Sequence, residues 1–183
     1  ISKSSDVPKV AIITDTHFGV RKGSKIFHEN FEKFYSETFF PVLDDLGIDT
    51  VLHLGDVFDV RKGIDYWSLD WAKRVFFGPL DQRGIDLHVV IGNHDIFYKQ
   101  SLRINSPKLN LAEYDNISIY GSPQTSVIKG QEVFFVPWIC EDNAAEFTAA
   151  CSASTATVCM GHLELAGFYA NKDYQCQHGT DPK

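Results

Sequence analysis

The chain has no Cys-x-x-Cys pair. Its four cysteines, Cys140, Cys151, Cys159 and Cys176, lie far apart. That spacing excludes a zinc knuckle and gives no disulfide framework, so reduced thiols are expected. Long apolar runs are also missing. The longest are strand-sized, far short of a bilayer span, and no signal-peptide core opens the chain, so no membrane partner and a cytoplasmic location are expected. Positive charge is short as well: 17 Lys and Arg against 24 Asp and Glu leave a net charge of −7. This excludes a protein coated in basic residues for nucleic acid. It still allows a carboxylate cluster that holds divalent cations, and local basic loops that meet phosphate.

What is present is apolar material, 44% of 183 residues, with 13% aromatic, enough for one packed core. Residues 1–183 are therefore expected to form one domain. Lys9 to Asp15 (KVAIITD) predicts a buried parallel strand. Phe27, Phe31, Phe34, Tyr35, Phe39, Val42, Leu43 and Leu46 then recur at helical spacing, with Pro41 expected to kink or interrupt the helix and Gly47 to cap it. Thr50 to Asp56 (TVLHLGD) predicts the next strand. Tyr66, Trp67, Trp71, Val75 and Leu80 mark a second helix that stops at Gly84, and Leu87 to Asp95 (LHVVIGNHD) a third strand. The units echo each other: Gly47-Ile48-Asp49 returns as Gly84-Ile85-Asp86, and Val20-Arg21-Lys22-Gly23 returns as Val60-Arg61-Lys62-Gly63. Two successive strand–helix–strand crossovers define an α/β sheet. Beyond Asp95 the expectation is a loop and short helix over 101–114, then short antiparallel strands. A helix near 142–153 and a buried strand running into Gly161-His162 follow, with no element from Ala170 onward.

Four polar motifs sit where predicted strands run out: Asp15-x-His17, Gly55-Asp56-x-x-Asp59, Gly92-Asn93-His94-Asp95 and Gly161-His162. Ligand sites in open α/β sheets lie beyond the carboxyl ends of the strands, so these motifs can converge in space. Mixed oxygen and nitrogen donors without thiolate suit Mn, Fe, Zn or Mg rather than structural zinc. Asp15 and His17 can grip one cation, Asp56 can bridge two, and Asn93 and His162 supply a carbonyl oxygen and a second imidazole. The glycines before Asp56, Asn93 and His162 let the backbone turn sharply and approach the ions closely.

In this order the motifs resemble those of the calcineurin-like metallophosphoesterases. The phrases GDVFDVRK, VIGNHDIFYK, VPWICEDN and GHLELAGFY narrow the resemblance to SbcD-type nucleases of double-strand break repair, and among them to the recombination endonuclease subunits of T4-like bacteriophages. The resemblance spans nearly the whole chain and implies an αββα sandwich with mixed β-sheets. It implies two divalent metal ions, manganese the expected pair and magnesium, iron or zinc the alternatives. Asp15 and His17 fall to the first, Asp56 to the bridge, and Asn93 and His162 to the second. His94 is implied to face the phosphate as general acid or charge stabiliser, with Asp95 orienting it and Asp59 at most behind the ligands.

The implied partners are DNA and an SbcC-type coiled-coil ATPase, with a homodimer through the Phe- and Trp-rich helices. One departure stands out: the family's last motif, Gly-His-x-His, is absent, and His178 is a poor substitute. The chain is expected to be C-terminally incomplete, with an under-coordinated site and low activity. Arg21, Lys22, Arg61 and Lys62 are expected to contact DNA phosphate without reading sequence. His28, His53 and His88, and Trp67, Trp71 and Trp138, are expected to serve packing. Competing functions are a phosphatase or small-molecule phosphodiesterase with the same chemistry, and an inactive scaffold that binds DNA or a partner.

Overall fold

Strands β1 (Ala11–Ile13), β2 (Thr50–His53) and β3 (Asp86–Val90) run parallel and side by side, as the two crossovers require. The computed structural model describes residues 7–180. After a hairpin of β4 (Ile96–Tyr98) and β5 (Ser101–Asn105), strand β6 (Ile117–Tyr120) joins β3, giving a four-stranded parallel sheet in the order β1-β2-β3-β6. Two expectations are corrected here. Residues 101–105 form a strand rather than a loop, and β6 is parallel rather than antiparallel. The intervening hairpin and short helix carry the chain back across the sheet, and a returning crossover imposes the parallel direction.

Every residue of β2 is buried, and its faces alternate as a strand's must. Val51 joins Leu87 and Val89 of β3 against the helices, while Leu52 and Val90 turn to the opposite face. Strand β1 is an edge, and Ile12 is 52% exposed, so the buried strand expected there is buried on one side only.

On the helical side, α1 (Val20–Gly23) is one irregular turn leading into α2 (Lys25–Phe34) and α3 (Phe40–Leu46), with a π-helical turn over Tyr35–Phe39 between them. The second crossover repeats the device: α4 (Tyr66–Ala72), a π-turn over Lys73–Phe77, then α5 (Gly78–Gln82). In each, the π-turn ends just before a proline. The Phe40 N–H reaches back to the Tyr35 carbonyl and the Gly78 N–H to that of Lys73. Widening the turn by one residue makes room for Pro41 and Pro79, which lack an N–H and crowd the preceding carbonyls. Pro41 is thus absorbed without ending the helix. Gly47 and Gly84 close the two units in the left-handed conformation expected of them, at φ 61° and 62°.

A second sheet follows α6 (Ser106–Asn110): β7 (Gln124–Ile128) and β8 (Gln131–Val136) form an antiparallel hairpin. After α7 (Ala144–Ala153), β9 (Val158–Gly161) pairs parallel to β8. Its inner face packs on the first sheet. Ile128, Val133 and Phe135 meet Leu52, Val90 and Tyr120, with the Tyr120 and Phe135 rings stacked at 4.2 Å. The first sheet is all parallel and only the second is mixed; face to face, with helices outside, they make the αββα sandwich. Strand β9 is an edge and only partly buried, less than expected. A small hairpin, β10 (Tyr169–Asn171) with β11 (Tyr174–Gln175), lies where no element was expected. The four cysteines are free thiols, with Cys140 buried. Among the described residues no helix is long and apolar enough to cross a membrane.

Candidate metal centre

The loops that leave β1 and β2 run side by side. The Asp15 N–H bonds to Gly55 O at 3.0 Å, His17 N–H to Asp56 O at 3.1 Å, Phe18 N–H to Val57 O at 2.9 Å and Asp59 N–H to Phe18 O at 3.1 Å. Phe18 and Phe58 form an isolated parallel bridge, and both rings are buried among Tyr35, Trp71, Phe76 and Phe77. Each polar motif is thus pinned by an aromatic anchor. The two Val-Arg-Lys-Gly words follow these phenylalanines at the same distance, the first as the irregular turn α1 and the second as a loop.

That pinning holds strained backbone. Asp15, His17 and Asp56 have φ of 54°, 43° and 55°, in the left-handed region that non-glycine residues avoid. Such residues cost about 1–3 kcal/mol each and persist only where the surroundings over-determine them. Here they turn three metal-competent side chains to one place. His17 Nε2 lies 3.6 Å from Asp15 Oδ1 and 3.7 Å from Asp56 Oδ2.

On the other side of Asp56 stand Asn93 and His162. His162 Nε2 is 3.0 Å from Asn93 Oδ1 and 3.5 Å from the same Asp56 Oδ2. His162 Nδ1 lies 2.8 Å from the Leu54 carbonyl, which has no proton to give, so Nδ1 carries the N–H. Nε2 then faces two acceptors, Asn93 Oδ1 and Asp56 Oδ2, and the three atoms converge on a point where a proton or a cation is needed between them. The donor set therefore fits a divalent ion, and Asp56 Oδ2 is shared with the His17 side. Among the described residues, no Lys or Arg pairs with Asp15 or Asp56; their charged partners are imidazoles alone.

His94 is set between the two loops. Its backbone N–H donates to Asp56 Oδ1 at 2.8 Å and its Nδ1–H to the Asp59 carbonyl at 2.6 Å, which leaves Nε2 free. Its ring stands perpendicular to that of His17, 4.9 Å away. Asp95 does not orient it, contrary to expectation. The fully buried Asp95 carboxylate accepts the N–H groups of Val57 (3.0 Å), Phe58 (3.3 Å) and Gly92 (2.9 Å), and so ties the Asp56 loop to the Asn93 loop. Burial pushes its carboxyl up to about 7, with the neighbouring Asp56 charge adding to the rise and the three N–H donors opposing it. Asp59 stands behind His17: its Oδ1 is 3.5 Å from His17 Nδ1, a buried nitrogen without a hydrogen-bond partner.

The sharp turn expected of these glycines is made at Gly55, while at Gly92 the missing Cβ serves the fit of one loop on another. A Cβ on Gly92 would overlap the Asp56 backbone nitrogen and Oδ1, and one on Gly55, at φ 99°, would lie 2.7 Å from His162 Nδ1.

Sequence reasoning missed the support beneath the cluster. His53 ends β2 fully buried; it accepts the Gly55 N–H at Nδ1 (3.2 Å) and so donates from Nε2 to Thr16 Oγ1 (2.9 Å), whose own proton goes to Val57 O (3.1 Å). The signal was a lone imidazole in an otherwise apolar strand, which demands partners. Burial pushes His53 down to about 3, and His88, enclosed between the sheets, shifts the same way. A histidine held neutral in the fold and free to charge when unfolded stabilises fully above about pH 6.5 and loses that stability as pH falls toward 3. Asp95, raised to about 7, acts with the opposite sign over the same range, so the difference between wild type and His53→Gln isolates this group: between pH 6.5 and 5 the wild-type free energy of unfolding in urea should fall relative to that of the variant by about 1.4 kcal/mol per pH unit. An identical slope in both proteins would count against the assignment.

Of the basic loops, Arg21 and Lys22 are exposed at left-handed φ of 55° and 59°, Arg61 is half-buried, and Lys62 lies over the Phe97 ring at 5.6 Å. None of the four is paired with a carboxylate among the described residues.

A carboxylate–imidazole cluster at the strand ends of an αββα sandwich is fit to hold divalent cations. The chain belongs to the calcineurin-like phosphoesterase family, whose profile matches residues 8–181. It is 39% identical over 136 residues to exonuclease subunit 1 of Enterobacteria phage T4, covering 74% of this chain and 40% of that protein. The chain thus spans less than half the length of the curated relative it matches. A solved structure, the protein of unknown function AQ665 from Aquifex aeolicus, aligns over 91% of this chain and 82% of its own at 18% identity, with a TM-score of 0.48.

Proposed function

We propose that the chain is the catalytic domain of a metal-dependent DNA phosphodiesterase. The observation that carries the reading is Asp56 Oδ2, buried and shared between the Asp15–His17 pair and the Asn93–His162 pair. One carboxylate oxygen at the junction of two donor sets is what a pair of divalent cations needs. Asp15, His17 and Asp56 would hold one cation, and Asp56, Asn93 and His162 the other, with manganese the expected ion. Bound there, the ions supply Lewis-acid polarisation of the phosphoryl oxygens and an activated water.

The chain's own groups do the rest. Asp59 O fixes the His94 tautomer, so Nε2 is the atom that holds a proton for the leaving oxygen. Asp95 keeps the two loops in register, and the His53–Thr16 pair holds the first loop against the second. With three side-chain donors to each cation among the described residues, weak metal retention and low activity are expected of this stretch on its own.

DNA as the substrate is supported by the T4 relative, an exonuclease subunit, and by two unpaired basic loops that rise beside the cluster. By the same likeness we infer an SbcC-type coiled-coil ATPase as partner and work in recombination and repair. A homodimer would use the face of α2 and α4, where Ile26, Phe27, Tyr66 and Trp67 are exposed. Manganese titration against double-stranded DNA and a chromogenic phosphomonoester tests the substrate class in the full-length protein; hydrolysis of the monoester alone would favour a phosphatase. Neutralising Arg21, Lys22, Arg61 and Lys62 together should weaken DNA binding and flatten the salt slope by about 0.7–0.9 for each phosphate that is no longer neutralised. An unchanged slope would make the loops ordinary surface.

A further inference from the structure

Two adjoining clefts flank Trp138. One, of about 530 Å³, has Asn93 and His162 in its wall and is otherwise rich in rings: Trp138, Phe168, Tyr169 and Tyr174. The Trp138 ring stands 6.2 Å from that of His162, so the aromatic wall begins directly beside the candidate metal centre. The other cleft, of about 390 Å³, shares Trp138, Leu163 and Glu164 with the first and carries the cations Arg61 and Lys99. No Lys or Arg lines the aromatic cleft among the described residues, and Glu164 borders both clefts. The pair is sorted by polarity: flat apolar rings on one side, positive charge on the other, the metal centre at their edge.

The rings contribute little to the core. Phe168, Tyr169 and Tyr174 are 57%, 68% and 53% exposed. Yet the segment that carries them is fixed. The Gly167 N–H bonds to Cys176 O and the Cys176 N–H to Phe168 O, both at 2.8 Å, while Thr180 and Glu164 are joined at 2.8 Å. Large rings held in water beside a phosphodiester site, with basic residues next door, match the combination that binds a nucleic-acid strand by stacking and phosphate contact.

We propose that Trp138, Phe168 and Tyr174 form a nucleobase-stacking subsite beside the metal centre, while Arg61 and Lys99 hold a neighbouring phosphate. This rests on the DNA phosphodiesterase reading and adds a substrate class to it. A base inside a duplex presents only its edges, so a base that stacks here is unpaired or closes a duplex end. The preferred substrate then offers an unpaired or terminal nucleotide adjoining the cut.

The test uses the full-length protein, manganese and a short end-labelled single-stranded oligodeoxynucleotide with one abasic position, with every linkage read on a sequencing gel. The wild-type protein should cut the linkage next to the abasic site about tenfold less than the other linkages of the same molecule. In the double variant Phe168→Leu, Tyr174→Leu, which keeps apolar bulk and removes the flat faces, that local protection should vanish. Phe168→Tyr should keep it. Because the comparison is between linkages within one oligonucleotide, a general loss of folding or metal lowers all bands together and leaves the pattern intact. Wild-type cutting that ignores the missing base, or protection that survives in the double variant, overturns the subsite alone. No cutting at any linkage, with a phosphomonoester still hydrolysed, overturns the DNA reading and the subsite with it.

Discussion

Asp56→Asn is expected to abolish manganese-dependent hydrolysis while leaving the metal-free fold intact. The carboxylate is 4% exposed and its Oδ2 faces His17 and His162 alike. An amide of the same shape has one neutral oxygen for that role, and its NH2 repels a cation. Losing the bridge removes several kcal/mol of transition-state stabilisation, about a thousandfold or more in rate. The fold should not suffer, because an asparagine oxygen can still accept the His94 N–H that Asp56 Oδ1 receives at 2.8 Å. The change also removes a charge that disfavours ionised Asp95. Thermal denaturation separates the two consequences. Manganese should raise the melting temperature of the wild-type protein by mass action and leave that of the variant unmoved, while the two metal-free proteins melt together. Retention of either metal response would place the cations elsewhere.

Gly92→Ala should be severely damaging for a single added methyl. Its backbone is not in the left-handed region, so conformational freedom is not the reason for glycine here. The reason is space: the added carbon would overlap the backbone nitrogen and carboxylate of Asp56. Neither can yield, since the Asp56 loop is bonded to the β1 loop on one side and to Asp95 on the other. The loops must separate, which breaks the His94–Asp56 and Gly92–Asp95 bonds. Overpacking and two broken hydrogen bonds together cost about 3–5 kcal/mol, which lowers the melting temperature by roughly 6–20 °C in a protein of this size. Gly63→Ala, where nothing lies within 4 Å, is the matched control. Equal stability and activity in the two variants would refute the steric account.

The anchoring of His17 and Asp56 also explains why some of the site was legible and some was not. Asp15, His17, Asp56, Asn93 and His162 are polar residues stranded at the ends of apolar runs, and a strand end is a place in the sequence as much as in space. The same holds for Gly47 and Gly84, whose role follows from the helical spacing that stops at them. Asp95 could not be read this way. Next to His94 in the chain, it points instead to three backbone N–H groups, two of them on the Asp56 loop. The direction of a side chain in a tight turn depends on φ and ψ, which the neighbouring loop imposes.

By itself, then, the sequence determined the α/β character of the first half, the two crossovers, and the residues that meet at the strand ends. Local periodicity and capping are short-range properties, so they are written in consecutive residues. Only the tertiary structure decided the direction of β6, the left-handed turns at Asp15, His17 and Asp56, and the His53–Thr16 support. It also decided that Phe18 pairs with Phe58 and that a ring-lined cleft opens beside His162. Each of these depends on hydrogen bonds or packing between segments distant in the chain. Such pairings form only when the sheet brings the segments together.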